Sequence, residues 1–267
     1  MKAKRTVAAV TKVLICALLL FITLFPIYWL VAMGIRPTDE MKGHISLIPQ
    51  TLTAIHFVEL FSSKGFSTAI VNSLQTTFGS LFISLAVGIC AAYVIARHRF
   101  RFGLKKPMTY WILLVRVLPP VAFTIPLYIM FNKLGILNTK LPVLLACVLI
   151  NVPLIIWFLI SFFQDLPEEI EESAKIDGAT EWQLFRKIVL PLVAPGIAAV
   201  AMLSFMYAWN EYTYTVIFTR TASNNTVPLA LALLNTEDNL TNFGLVAAGG
   251  VVSVIPITLF VIFAQNY

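Results

Sequence analysis

Six apolar runs, at about 13–33, 70–96, 108–131, 141–163, 191–218 and 244–264, dominate this 267-residue chain. Each reaches the roughly 20 residues that a helix needs to cross a bilayer. In lipid, every backbone N–H and C=O must find its partner inside the chain, so runs of this length specify helices. Composition agrees: 59% of residues are hydrophobic and 12% are charged, against about 25% charged in soluble domains. The expected fold is an all-α integral membrane protein, one transmembrane domain of six spanning helices over residues 1–267.

The charges report topology. The first run is too long for a signal-peptide core and ends at Tyr28, Trp29 and Arg36, an interfacial anchor pattern, so it reads as an uncleaved helix. Arg97, Arg99, Arg101, Lys105 and Lys106 crowd the loop after the second run. With the N-terminus in the cytoplasm, cytoplasmic segments hold twelve Lys and Arg, outer loops hold six, and Arg116 lies in a span. That asymmetry follows the positive-inside rule. The net charge of +6 is therefore topology and not a nucleic-acid footprint, and lipid is the expected surrounding. The chain stops at Tyr267, at the membrane edge, with almost no C-terminal tail expected.

Several chemistries find no residues to carry them. Cys16, Cys90 and Cys147 fall inside apolar runs, at spacings that suit neither zinc nor a disulfide framework, and read as small buried hydrophobes. His44, His56 and His98 lie in or beside loops, far apart, and form no metal or nucleophile constellation. No catalytic residue and no metal is expected. Within the second run, Ser80, Ser84, Gly88, Ala92 and Ala96 recur every fourth residue, a ridge of small side chains that lets another helix approach closely.

The polar segment 165–190 stands apart. Asp165, Glu168, Glu169, Glu171, Glu172, Asp177 and Glu181 are seven of the chain's thirteen carboxylates. Asp165 and Glu168 have capping-box spacing, and a first helix is expected to run to about Asp177. Gly178 supplies the left-handed residue that ends many helices. Thr180 and Gln183 repeat the capping signal for a second helix, bounded by Pro191. Helices this short are marginal in water and need a surface to pack on. Ile170, Ala174, Trp182, Phe185 and Ile188 offer apolar contacts, either to the chain's own helix ends or to another subunit.

Glu172-Ser173-Ala174, three residues, Gly178, nine residues and Ile188-Val189-Leu190-Pro191 resemble the EAA loop of bacterial ABC-importer membrane subunits. The family pattern is Glu-Ala-Ala, three, Gly, nine, Ile-x-Leu-Pro, and the one departure is Ser173. Asp177, Ala179 and Phe185 also look like that motif. The six-helix layout is similar to the carbohydrate, maltose-importer-like branch, as are Ile125-Pro126-Leu127 and Asn210 after Ala208-Trp209. The resemblance implies a permease subunit whose cytoplasmic loop between helices 4 and 5 docks on an ATPase. It implies Glu171, Glu172, Ser173, Ala174, Asp177, Gly178, Ala179, Phe185 and Pro191 as coupling-loop residues. It further implies a dimer of cytoplasmic ATPase subunits carrying ATP and magnesium, a second homologous permease, an extracytoplasmic binding protein, and a place in the bacterial inner membrane. The chain has no G-x-x-x-x-G-K-[ST] loop of its own, which fits nucleotide held elsewhere.

Arg116 and Glu211 are the two charges at membrane depth. Such groups usually face a cavity or a partner. Pro119, Pro120 and Pro126 follow Arg116, so the third helix is expected to bend there. Arg116, Asn151, Asn210 and Glu211 are the candidate solute path. Arg116 snorkelling to a nearby interface, or paired with Glu211 as a structural bridge, is the competing reading, as are interhelical hydrogen bonds for the asparagines. The expected cargo is a sugar or polyol. Another solute such as an anionic sugar derivative, amino acid or peptide is the alternative, with an intramembrane enzyme or a channel behind it.

Overall fold

The computed structural model describes residues 2–42, 45–62, 65–97, 105–234 and 242–265. His44, Lys64, His98, Arg99 and Arg101 lie outside the described residues. In chain order the helices are α1 (Lys2–Gly34), α2 (Ile55–Ser62), α3 (Phe66–Arg97), α4 (Lys105–Val117), α5 (Thr124–Lys133) and α6 (Leu141–Asp165). There follow α7 (Glu168–Ile176), α8 (Glu181–Leu184), α9 (Leu190–Leu192), α10 (Ala194–Trp209), α11 (Thr213–Phe218), α12 (Val227–Leu234) and α13 (Phe243–Ala264). Among the described residues there is no strand.

Val10–Gly34, Phe66–Arg97, Leu141–Asp165 and Phe243–Ala264 are each long and apolar enough to cross a membrane. Two further spans are broken: Lys106–Val117 meets Pro120–Lys133 at 97°, and Glu181–Leu192 meets Ala194–Trp209 at 72°. Counting each bent pair once restores six. The third span is thus more than bent. Pro119 and Pro120 remove backbone donors, α4 stops at Val117, and a single 3-10 turn over Pro120–Phe123 leads into α5.

The fifth span departs from a continuous helix over 191–218. It breaks a second time at Asn210–Tyr212, where neither proline nor glycine stands. The physical cause is Glu211: its Oε1 accepts the Tyr214 N–H at 2.6 Å, and a carboxylate at that place starts a new helix. Pro191 does not bound the loop's second helix either. A π turn over Phe185–Val189 precedes it, the chain stays helical through Leu192, and the bend falls at Val193.

The chain divides into two compact units, Met1–Phe66 with Leu231–Ile255 and Ser67–Ala230 with Pro256–Tyr267. In the first, Arg36 is fully buried rather than an interfacial anchor. Its guanidinium lies 5.7 Å from the Trp29 ring centre and donates to the Ser46 carbonyl at 2.6 Å. His56 is likewise buried, inside α2, with Nε2 3.0 Å from the Arg36 carbonyl.

In the second unit the small-residue ridge of α3 is buried along its length. A Cβ on Gly88 would sit 2.5 Å from Ile155 Cγ2 of α6, so only glycine permits that approach. The core continues through Ala92, Ile95, Leu159 and Phe163 to Ala174, Leu184, Phe185 and Val189. The polar segment is therefore built onto the ends of α3 and α6. Cys147 is buried here as expected, but Cys16 and Cys90 are exposed: among the described residues, none covers the helix faces on which they sit.

Candidate functional site

The segment after α6 folds as helix, glycine turn, helix. Its first boundary is not the expected one. Asp165 ends α6, and Pro167 takes the N-cap position of α7 with no side-chain cap. The proline ring holds Leu166 extended, at φ −77° and ψ 124°, so the chain cannot turn helical where an Asp165 cap would need it. Glu168, Glu169 and Glu171 then fill the first turn of α7, the end where carboxylates are favourable.

The C-terminus of α7 matches expectation closely. Gly178 has φ +86°, the Ala179 N–H bonds to the Ala174 carbonyl at 3.0 Å, and the Gly178 N–H bonds to that of Lys175 at 3.0 Å. These are the two bonds of a Schellman motif. Thr180 and Gln183 form a reciprocal capping box at the start of α8. Lys175 reaches across the turn to Glu181, Nζ to Oε1 2.8 Å, and this bond raises the Lys175 pKa above its ordinary value.

The loop is clamped to α3. Arg97, in the last turn of α3, places Nε 2.7 Å from Glu171 Oε1 and donates from Nη2 to the Leu166 carbonyl at 2.7 Å. Tyr93 Oη donates to Glu171 Oε2 at 3.1 Å. These groups line a cleft of about 430 Å³ together with Glu168, Glu172 and Lys175. Charge counting assigned Arg97 to topology alone and did not single out Tyr93. The only sequence signal for their role is one turn's spacing between them at the helix end.

The nine coupling-loop residues separate into two sets. Glu171, Ala174 and Phe185 turn inward and are buried, and Ala179 is half-buried. Glu172, Ser173, Asp177, Gly178 and Pro191 are exposed. Ala174 and Phe185 are thus spent on the chain's own core, Phe185 with its ring 4.9 Å from that of Tyr93. The most exposed large apolar groups of the loop are Ile176, 86% exposed and not among the expected contacts, and Trp182, 64% exposed.

The four path residues also separate. Asn151 is buried and donates to the Ser204 carbonyl of α10 at 3.2 Å. It joins α6 to α10 and is not among the cavity-lining residues. Arg116, Asn210 and Glu211 do come together, around a cavity of about 540 Å³ that Tyr207, Tyr212 and Thr213 also line. Among the described residues no ion pair joins Arg116 to Glu211. Arg116 lies instead over Tyr207, Cζ 5.5 Å from the ring centre, and Glu211 Oε1 accepts the Tyr214 N–H in the first turn of α11.

Broken apolar spans around a polar cavity, with a two-helix loop clamped to the helix ends, define a multi-pass membrane transport component. Residues 84–267 match the family described as binding-protein-dependent transport system inner membrane component, and the chain belongs to that family. It is 33% identical to the trehalose transport system permease protein SugB of Mycobacterium tuberculosis, over 91% of this chain and 88% of that one. It is 32% identical to the arabinooligosaccharides transport system permease protein AraQ of Halalkalibacterium halodurans, over 94% and 90%. Among solved structures, a bacterial ABC transporter that imports the acidic polysaccharide alginate shares the fold, with TM-score 0.81, 21% identity and coverage of 100% and 98%. The chain is a permease subunit of the inner membrane, and its activity is transport and not catalysis.

Proposed function

We propose that this chain is one of two homologous permease subunits of an ABC importer for a sugar or related polyol. A dimer of cytoplasmic ATPase subunits holds ATP and magnesium, an extracytoplasmic binding protein delivers the solute, and the N-terminus faces the cytoplasm. The observation that carries this reading is the division of the 165–190 loop. One side is anchored by Glu171 to Arg97 and Tyr93, and the other leaves Ile176 and Trp182 exposed. Singly exposed apolar groups are ordinary, but two large ones on a polar loop fixed by an ion pair suit a protein partner. The sugar assignment draws on the relatives, whose names specify trehalose and arabinooligosaccharides.

The test is co-purification. The tagged chain, solubilised gently from its own cells, should bring down an ATPase subunit and a second permease. The Ile176→Ser, Trp182→Ser double variant should lose the ATPase and keep the permease partner. Retention of the ATPase at the wild-type amount would overturn the docking role of this face. Absence of any ATPase from the wild-type complex would overturn the importer reading.

A further inference from the structure

Two of the breaks in the second unit meet at one place. Tyr214 of α11 is fully buried, and its Oη donates to the Pro120 carbonyl at 3.1 Å. The segment after the fifth span's break is thereby tied to the segment after the third span's break. The 540 Å³ cavity lies between them, lined by Arg116 and Pro120 from one and by Asn210, Glu211, Tyr212 and Thr213 from the other. Its volume falls in the roughly 300–1,000 Å³ range of small-molecule sites. Irregular backbone at membrane depth is tolerated where it lines a cavity, and discontinuous helices are where transporters bind solute.

We propose that this cavity is a subsite for one ring of a neutral sugar, held by Arg116, Tyr207 and Tyr212 with Asn210 and Glu211 as hydroxyl partners. The inference rests on the importer reading and adds to it the residues and the charge class of the cargo. Arg116 is held over the Tyr207 ring and pairs with no carboxylate among the described residues, so its guanidinium keeps donors to spare. Glu211 is fixed by the Tyr214 N–H at 2.6 Å. Asn210 gives an amide N–H to the Met206 carbonyl at 2.8 Å, which leaves its carbonyl oxygen as an acceptor. A sugar hydroxyl both donates and accepts, so it can take a bond from Arg116 and give one to Glu211 or Asn210. An anionic ligand would gain Arg116 but meet the Glu211 carboxyl in the same space, and an ionised Glu211 would repel it. A cation meets the reverse conflict. A neutral polyol meets neither, and Tyr207 and Tyr212 give its C–H faces an aromatic surface.

The experiment uses the complete importer, with its binding protein and ATPase, in proteoliposomes. The probes are radiolabelled trehalose and maltose as neutral sugars and digalacturonate as an anionic one. The wild type should import a neutral probe. Arg116→Gln should raise KM for it about tenfold or more, the loss expected for a bond to a charged group. Tyr207→Leu should also raise KM, through the lost aromatic face, and the conservative Tyr207→Phe, which keeps that face, should bring KM back toward the wild-type value. Stimulation of ATP hydrolysis by the loaded binding protein should persist in all variants, which shows that the complex is assembled. As a check independent of turnover, Thr213→Cys in a background with Cys16, Cys90 and Cys147 replaced by Ser should react with a hydrophilic maleimide and be protected by the imported sugar. Unchanged KM in the Arg116 and Tyr207 variants, with no protection at position 213, would overturn the subsite and leave the importer reading standing. Import of digalacturonate alone would overturn the neutral assignment. Import of no probe would overturn the sugar reading and the subsite with it.

Discussion

Arg97 Nε and Glu171 Oε1 lie 2.7 Å apart, with 13% and 11% of their side chains exposed. One residue closes α3, and the other sits one turn into α7, so this ion pair, with a looser one from Arg97 Nη1 to Glu168 Oε1 at 3.9 Å beside it, joins a spanning helix to the loop that the importer reading assigns to the ATPase. Tyr93 donates to Glu171 on one side, and Arg97 donates to the Leu166 carbonyl on the other. A displacement of α7 cannot leave α3 unmoved while this pair holds.

The first prediction concerns that pair. Removing one partner of a buried ion pair costs about 3–5 kcal/mol, because the other charge is left desolvated. Glu171→Gln should therefore raise amide exchange across α7 by about two to three and a half decades, at roughly 1.4 kcal/mol per decade. The double variant Arg97→Met, Glu171→Leu removes both charges and should recover much of the protection. Exchange measured by mass spectrometry on the solubilised chain decides it. Equal protection in wild type and Glu171→Gln would show that α7 is held by Ala174 and Leu184 alone.

The second concerns Gly178, whose φ of +86° lies in the left-handed region. A Cβ there would meet nothing within 4 Å, so the cost of Gly178→Ala is torsional, about 1–2 kcal/mol. The Schellman bonds at Gly178 and Ala179 should exchange faster, while the spans stay inserted. Gly178→Asn, which tolerates this conformation better, should cost less than alanine. An alanine variant as well protected as asparagine would mean that the turn relaxes out of the left-handed region.

Which features were legible depends on the reach of the interactions that make them. The Gly178 turn, the Thr180–Gln183 capping box and the α3 ridge are local or periodic, and all stand where the residue pattern places them. The Asp165 cap failed because two local signals compete, and the proline restriction on Leu166 outweighs a capping bond. The break at Asn210–Tyr212 carries no proline or glycine, since a carboxylate three residues from its N–H partner creates it. The Tyr93–Glu171 bond spans 78 positions, and no periodicity within one helix can reveal it. In the path, Arg116 and Glu211 share a cavity as membrane-depth charges should, whereas Asn151 bonds to the Ser204 carbonyl of α10, and sequence does not separate the two because an interhelical hydrogen bond and a ligand contact ask for the same residue type.

A third prediction follows from Glu40. Its carboxylate accepts bonds from the Thr51 hydroxyl, the Thr51 N–H and the Gln50 N–H. The Thr51 hydroxyl bond is the chief cause that holds its pKa below the ordinary 4.5. A depressed carboxylate contributes stability that is present above the unfolded value and lost as pH falls through the folded one. The amides of Gln50 and Thr51 should thus stay protected above pH 4.5 and lose protection only below it. Glu40→Gln should abolish that pH dependence. A loss of protection setting in above the ordinary value would mean that another group governs this loop.

The last prediction tests the contact of α3 with α6. A side chain at position 88 would place its Cβ 2.5 Å from Ile155 Cγ2 and 2.9 Å from Ile155 Cβ. Both atoms belong to a buried side chain in the core that also holds Leu159, Phe163 and the loop residues Ala174 and Phe185. Overpacking of this kind typically costs about 1–3 kcal/mol. Gly88→Val should lower the melting temperature of the solubilised chain and loosen α7 and α8, because their packing surface is the same core. Ile155→Ala alone should also destabilise, by about 2–5 kcal/mol, through the cavity it leaves. Combined, the two changes restore volume at one contact, so the double variant should be more stable than the sum of the single losses predicts. Strict additivity would show that Gly88 and Ile155 do not share a contact, and that the α3 ridge faces a different helix.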